Sequence, residues 1–332
     1  MKQYLDSLRH IKENGRAHSD RTGVTTKRVF GYQTRYNLSE GFPLLTTKEL
    51  AFRWIAEELL WFLSGDTNNK TLQDKGITIW DAWATKEQCE HFGREENDLG
   101  PVYGQAWRNF GATAGDLKSR KVGSRIINKG FERDGVDQIK RLCHLLKNNP
   151  DSRRMIVSGW NPAQCDNVAL PPCHTLFQFS AEELTLDERK NIWHGNQKKY
   201  GEYVGNYTAE KLDEVGIPSR GLSCGLWQRS CDSALGEPYN LASYSLLTMM
   251  LAHVHNMVPG DFIHTFGDKH IYANHFDGID EQLSRKPRPL PILDIDESLR
   301  GGGFDALMSM KYEHLKLKGY NPHPKINFEV AV

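Results

Sequence analysis

Apolar residues fall at helical spacing over residues 2–14, where Tyr4, Leu5, Leu8 and Ile11 share one face and Asn14-Gly15 closes the run. Residues 28–38 read as strand broken at Gly31. Thr46-Thr47 is placed to cap a strong helix from about 48 to 64, with Leu50, Trp54, Ile55, Leu59, Leu60 and Phe62 as its apolar surface and Gly65 as its stop. A shorter helix is expected over 68–75. Periodicity then breaks up from 84 to 134, and the Gly- and Ser-punctuated stretch 111–135 reads as loop. Helical spacing returns at 136–148, and Met155-Ile156-Val157 and Leu176-Phe177-Gln178-Phe179 read as buried strands. The polar stretch 181–220 reads as a surface excursion. Beyond it the pattern predicts a strand at Leu222–Trp227, an apolar helix over 240–256, a strand at Phe262-Ile263 and a helix over 270–285 ended by Pro287-Arg-Pro-Leu-Pro291. With no internal repeat and no Gly/Ser linker, the chain reads as one α+β domain over 1–332, with loop insertions near 111–134 and 181–220.

Charge narrows the function. The 332 residues carry 42 Lys+Arg against 42 Asp+Glu, so the formal net charge is zero. A protein whose main task is to coat nucleic acid or an acidic membrane needs a positive surplus, and this one has none. No run has the apolar length of a membrane span, and the polar start Met1-Lys-Gln-Tyr-Leu-Asp6 does not resemble a signal peptide. The six cysteines form no Cys-x-x-Cys pair, which argues against a zinc ribbon and for reduced, mostly buried thiols in a cytoplasmic protein.

Several residues can carry chemistry. Pro171-Pro172-Cys173-His174 holds a thiol on a rigid approach to an apolar strand. A thiol becomes a strong nucleophile when nearby cations lower its pKa, although a packed structural Cys is the commoner use of such a site. Arg21, the adjacent Arg153 and Arg154, and Arg229 each flank a predicted strand or turn. Together such guanidinium forks match a phosphate dianion; singly, each is more often an ordinary surface ion pair. Trp80 and Trp83 can stack a flat heterocycle or simply pack in the core. Glu58 lies inside an apolar helix, where a carboxyl can serve as general acid or base; the solvated helix-face charge fits Glu57 better. His270 and Tyr272 can hydrogen-bond a sugar, and Asn240 opens a helix, where capping is the ordinary role.

Taken in order, these pieces resemble thymidylate synthase of the folate-dependent, cysteine-nucleophile family. The likeness runs through Asp20-Arg-Thr-Gly23, Gly41-Phe-Pro-Leu-Leu-Thr-Thr-Lys48, Glu58-Leu-Leu-Trp-Phe-Leu63, Thr78-Ile-Trp-Asp-Ala-Trp83 and Leu99-Gly-Pro-Val-Tyr103-Gly104. It continues through Asp151-Ser-Arg-Arg-Met-Ile-Val-Ser158, Ala169-Leu-Pro-Pro-Cys173-His174, Gln228-Arg-Ser-Cys-Asp232, Asn240-Leu-Ala-Ser-Tyr244 and His270-Ile-Tyr272-Ala-Asn-His275. Gly319-Tyr-Asn-Pro-His-Pro324 and Val330-Ala-Val332 resemble the family's closing tail.

The resemblance implies a mixed β-sheet packed against helices, with the free sheet face forming a homodimer interface. It implies dUMP as substrate, 5,10-methylenetetrahydrofolate as carbon and hydride donor, and no metal. By resemblance, Arg21, Arg229 and Ser230 hold the phosphate, while Arg153 and Arg154 reach in from the other subunit, so that the dimer is obligatory. Cys173 adds to C6 of uracil, Glu58 handles protons through water, and Tyr103 helps remove the C5 proton. Gln228, Asp232 and Asn240 belong to the nucleotide site, with His270 and Tyr272 on the deoxyribose. Asp232 also binds the pterin; Ile79, Trp80, Trp83, Leu235, Gly236, Tyr239 and Ala331 line the folate, and Lys48 meets its glutamate tail. Asn, not Asp, at position 240 points to uracil over cytosine.

Some positions depart from the family's pattern. Ser233-Ala-Leu-Gly-Glu237 stands where bulky apolar residues are common, Phe266 where Gly is usual, and Glu329 at a Pro-like position. Related hydroxymethylases use the same thiol and folate but let water capture the methylene, and exclusion of water decides between the two outcomes. The polar Ser233 and Glu237 point toward that alternative; Trp80 and the Val332 tail point toward hydride transfer. A catalytically idle nucleotide- or RNA-binding relative is the remaining alternative.

Overall fold

In the computed structural model, residues 1–19, 23–111, 126–128, 131–133, 135–197 and 207–329 are described. Arg21 and Ala331, both expected in the site, lie outside them, as does most of 111–134.

The framework is a six-stranded mixed sheet. Its strands are β1 (Arg16–Ser19), β2 (Thr25–Asn37), β3 (Ile156–Ser158), β4 (His174–Glu183), β5 (Arg220–Asp232) and β6 (Val258–Tyr272), in the order β1-β2-β6-β5-β4-β3. Only β5 and β6 run parallel. Helices α1 (Lys2–Asn14), α2 (Phe52–Ser64), α3 (Tyr103–Asn109), α4 (Gln138–Asn148) and α5 (Gly236–Val254) cover one face. Of these, α5 is the innermost: buried on nearly all sides, it packs on β5 and β6 and against α2. Its even apolar composition is what a core helix requires.

The other face of the sheet is open. Ile156, Leu176 and Trp227 lie there 47%, 40% and 39% exposed, and Phe30 is 83% exposed, an apolar surface too large to be indifferent to water. A cavity of about 520 Å³ on this face is lined by Arg153, Leu176, Gln178, Trp227 and Thr265 among others.

A row of three residues breaks the alternation of the central strands. Gly31, Gly267 and Arg229 lie side by side on β2, β6 and β5, bracketed by the pairs Tyr32↔Phe266, Phe30↔Asp268, Gln228↔Phe266 and Ser230↔Asp268. Gly31 has φ +78°, and a Cβ on Gly267 would sit 2.8 Å from the Arg229 carbonyl oxygen. Before the row the even-numbered Leu226, Gln228, His264 and Phe266 are buried; after it the odd-numbered Cys231, Lys269 and Ile271 are. Ser230, Asp232, His270 and Tyr272 therefore alternate to the side opposite the one their parity would otherwise give them.

Several expected boundaries move. Helix α2 begins at Phe52, not near 48, because both threonine hydroxyls are used elsewhere: Thr46 Oγ1 accepts from the Arg288 amide and Thr47 Oγ1 from Gln282. Strand β2 runs unbroken through Gly31. The stretch read as a helix from 270 begins as strand, and α6 (Phe276–Ser284) starts six residues later. Helix α5 starts at Gly236, so Asn240 lies inside it and caps nothing. Within the described part of the 181–220 excursion, β4 extends to Glu183, and helices Leu186–Gly195 and Ala209–Glu214 enclose a small core of Trp193, Leu212 and Ile217. Arg153 and Arg154 sit in a turn before β3, flanking the strand as expected.

Candidate active site

Of the six cysteines, Cys173 is the half-exposed one; the other five are buried. It sits at the mouth of β4, and its backbone is held from two sides. The Cys173 amide donates to Tyr103 Oη (2.8 Å), and its carbonyl accepts from the Arg229 amide (2.8 Å). The Arg229 guanidinium donates through Nε to the Pro172 carbonyl (2.9 Å) and through a terminal nitrogen to that of Pro171 (2.7 Å), with Trp160 stacked 5.5 Å away. A cation is thus fixed beside the loop that presents the thiol, which is the setting a thiolate needs.

Glu58 and Trp80 form the next group. Trp80 Nε1 donates to Glu58 Oε1 at 2.8 Å. Burial pushes the Glu58 carboxyl up to about 7, although the indole N–H favours its charged form. A carboxyl poised there exchanges protons readily at neutral pH. Glu57 is not the solvated charge its position suggested: it is buried and paired with Lys75. The Tyr103 ring lies 6.1 Å from Trp80 and 4.7 Å from His174, and burial raises its phenol well above the ordinary value.

The amide of Asn240 has a defined polarity. Gln228 Nε2 donates to the Ser230 carbonyl (3.0 Å) and to Asn240 Oδ1 (3.0 Å), while its Oε1 meets His264 Nε2 (2.8 Å). A main-chain carbonyl can only accept, so the Gln228 nitrogen must face Ser230, and Asn240 must turn its oxygen toward Gln228. Burial drives the His174 pKa down to about 4, outweighing Asn240, which favours its charged form, so it stays neutral. His174 and His264 escaped sequence reasoning; adjacency to Cys173 was the available signal for the first, and there was none for the second.

Asp232 ends β5 half-buried. Its Oδ1 accepts from the Ala234 amide (2.8 Å) and lies 3.8 Å from His275 Nδ1. Burial opposes its charge, but His275 and the Ala234 amide outweigh that and hold the carboxyl below its ordinary range. His270 and Tyr272 project from the same side of β6, ring centroids 5.2 Å apart, a pairing at i and i+2 that a strand provides and a helix does not. His270 Nδ1 is 2.8 Å from Asp268.

The expected folate residues divide. Trp83 and Ile79 are partly buried, with Trp83 5.8 Å from Trp80, and Tyr239, Leu235 and Gly236 lie at the start of α5. Two tryptophans packed edge to face and a fixed carboxylate are residue types that suit a flat, polar heterocycle. Lys48 does not reach outward: it is buried, donates to the Ala234 carbonyl and lies 4.6 Å over the Phe328 ring, and burial lowers its pKa to about 8. Arg153 and Arg154 stay apart from this cleft. Both are exposed, and Arg153 lines the cavity on the open sheet face.

The family model described as thymidylate synthase matches residues 2–332. The chain belongs to the thymidylate synthase family. It is therefore a methyltransferase of a family that works on dUMP with methylenetetrahydrofolate, and the mixed sheet packed by helices is that family's fold. No helix among the described residues is long and apolar enough to cross a membrane.

Proposed function

We propose that the protein is a thymidylate synthase proper, converting dUMP to dTMP by reductive methylation and releasing dihydrofolate. The observation that carries this over hydroxymethylation is the placement of the polar substitutions. Ser233 and Glu237 have no exposed surface, nor has Ala234, and their side chains meet Lys269 in the core. They therefore line no path for water into the cleft, and Trp80 is itself buried.

In this reading the folate supplies a one-carbon unit and then a hydride. Cys173, with Arg229 beside its loop, adds to C6 of the uracil and leaves negative charge at C5 and O4. Asn240 offers an amide to that edge, and because the pairing tightens as charge develops it acts on turnover. Glu58 takes and returns protons through water, Tyr103 helps remove the C5 proton, and Asp232 holds the pterin. Arg21, Arg229 and Ser230 grip the phosphate, completed by Arg153 and Arg154 of the partner subunit. The open apolar sheet face and the distance of Arg153 and Arg154 from their own cleft support a homodimer with shared sites. Incubation with dUMP and methylenetetrahydrofolate, with both products identified, tests the proposal. It predicts dTMP with dihydrofolate; 5-hydroxymethyl-dUMP with tetrahydrofolate would make the protein a hydroxymethylase.

A further inference from the structure

Behind the cleft lies a charged cluster that none of these steps uses. Lys269 and Glu237 have no exposed surface, and Lys269 Nζ donates to Glu237 Oε2 and to Ser233 Oγ (3.0 Å). The Phe266 ring covers the same ammonium at 4.6 Å. The main chain of Ser233 is tied as well: its amide donates to the His270 carbonyl (2.8 Å), and its carbonyl accepts from Tyr4 Oη (2.8 Å).

A buried ion pair adds little net stability over apolar side chains of the same volume, because desolvation of both charges offsets their attraction. What it does supply is direction: one ammonium joined to a carboxylate and a hydroxyl fixes three backbones relative to one another. The three here each carry a residue of the cleft. Lys269 precedes His270 on β6, Ser233 follows Asp232, and Glu237 lies one helical turn before Asn240 in α5. Glu237 is also in the first turn of α5, where the helix dipole favours its charge.

We propose that Lys269, Glu237 and Ser233 form a brace of positioning residues that sets the spacing of His270, Asp232 and Asn240 around the bound nucleotide. The proposal rests on reading the cleft as a dUMP site. Three variants test it: Glu237→Gln, Lys269→Met, and the double apolar Lys269→Met/Glu237→Leu. Active sites are counted by covalent capture of 5-fluoro-dUMP with methylenetetrahydrofolate, and kcat, KM for dUMP and Tm are measured per captured site. Capture by the unmodified protein checks the site reading by itself, so failure there is separate from failure of the brace. Both single variants should lose Tm and, per site, raise KM for dUMP and lower kcat/KM by about tenfold to a hundredfold. The double variant should regain Tm without regaining kcat/KM. Recovery of both in the double variant, or single variants with unchanged kcat/KM per site, would overturn the proposal. Should the double variant not fold, the isosteric Glu237→Gln decides on the same criterion.

Discussion

In the proposed reading, Cys173, Glu58 and Asn240 divide the chemistry of the cleft among a nucleophile, a proton carrier and a base reader. Cys173→Ala is expected to bind dUMP and to lose turnover, checked by equilibrium binding beside a product assay. Glu58 offers a sharper test because burial raises its pKa to about 7, above its ordinary 4.5. The folded protein then holds a proton that the unfolded chain has released between those values, so stability falls as pH rises from about 4.5 to 7. Glu58→Gln should remove that fall, leaving the protein about 1–3 kcal/mol more stable at pH 8 by denaturant titration, while turnover drops by about 10²–10⁴. Trp80→Phe removes an N–H that favours the carboxylate, so the limb of the pH–rate profile that Glu58 sets should move to higher pH. Asn240→Asp should lose dUMP activity and gain some on dCMP. Cytosine reverses the donor and acceptor at N3 and C4, and a protonated Asp matches the reversed pair. Because Asn240 is internal to α5, a capping role offers no rival account; assay of both substrates on the purified variant checks the switch.

At the scale of elements, the row Gly31–Gly267–Arg229 turns the ends of β5 and β6 so that Ser230, Asp232, His270 and Tyr272 share a side. Gly267→Ala places a methyl 2.8 Å from the Arg229 carbonyl, a main-chain atom with no freedom to yield. A loss of about 1–3 kcal/mol is expected on unfolding, with a fall in kcat/KM because Arg229 would shift with it. Very little of this row was legible in the chain. Gly31 reads as a strand break, since nothing local reveals that Gly267 and Arg229 align with it. Helix α2 and helix α4 were legible because their apolar stripes are periodic, and Cys173 because of its two prolines. The Lys269–Glu237 pair was not: the two lie 32 residues apart, and each looks solvated where it stands. Thr46 and Thr47 misled for a related reason, their hydroxyls being claimed by residues more than two hundred positions away.

The molecule as a whole leaves one face of its sheet uncovered and apolar. Arg153 lines a cavity on that face, so a partner seated there would receive it. Mixing an Arg153→Ala protein with a Cys173→Ala protein should restore activity on subunit exchange, since one cleft of the mixed dimer would be intact. If the proposed homodimer uses this face, Trp227→Asp there should yield monomers by sedimentation and abolish turnover. In the proposed function the cleft excludes water while a hydride reaches the nucleotide. Isotope tracing decides this, with methylenetetrahydrofolate deuterated at C6 of the pterin and the reaction run in ¹⁸O-water. The expected product is dTMP carrying the deuterium in its methyl group, with unlabelled dihydrofolate; 5-hydroxymethyl-dUMP bearing solvent ¹⁸O, with deuterium retained in tetrahydrofolate, would overturn it.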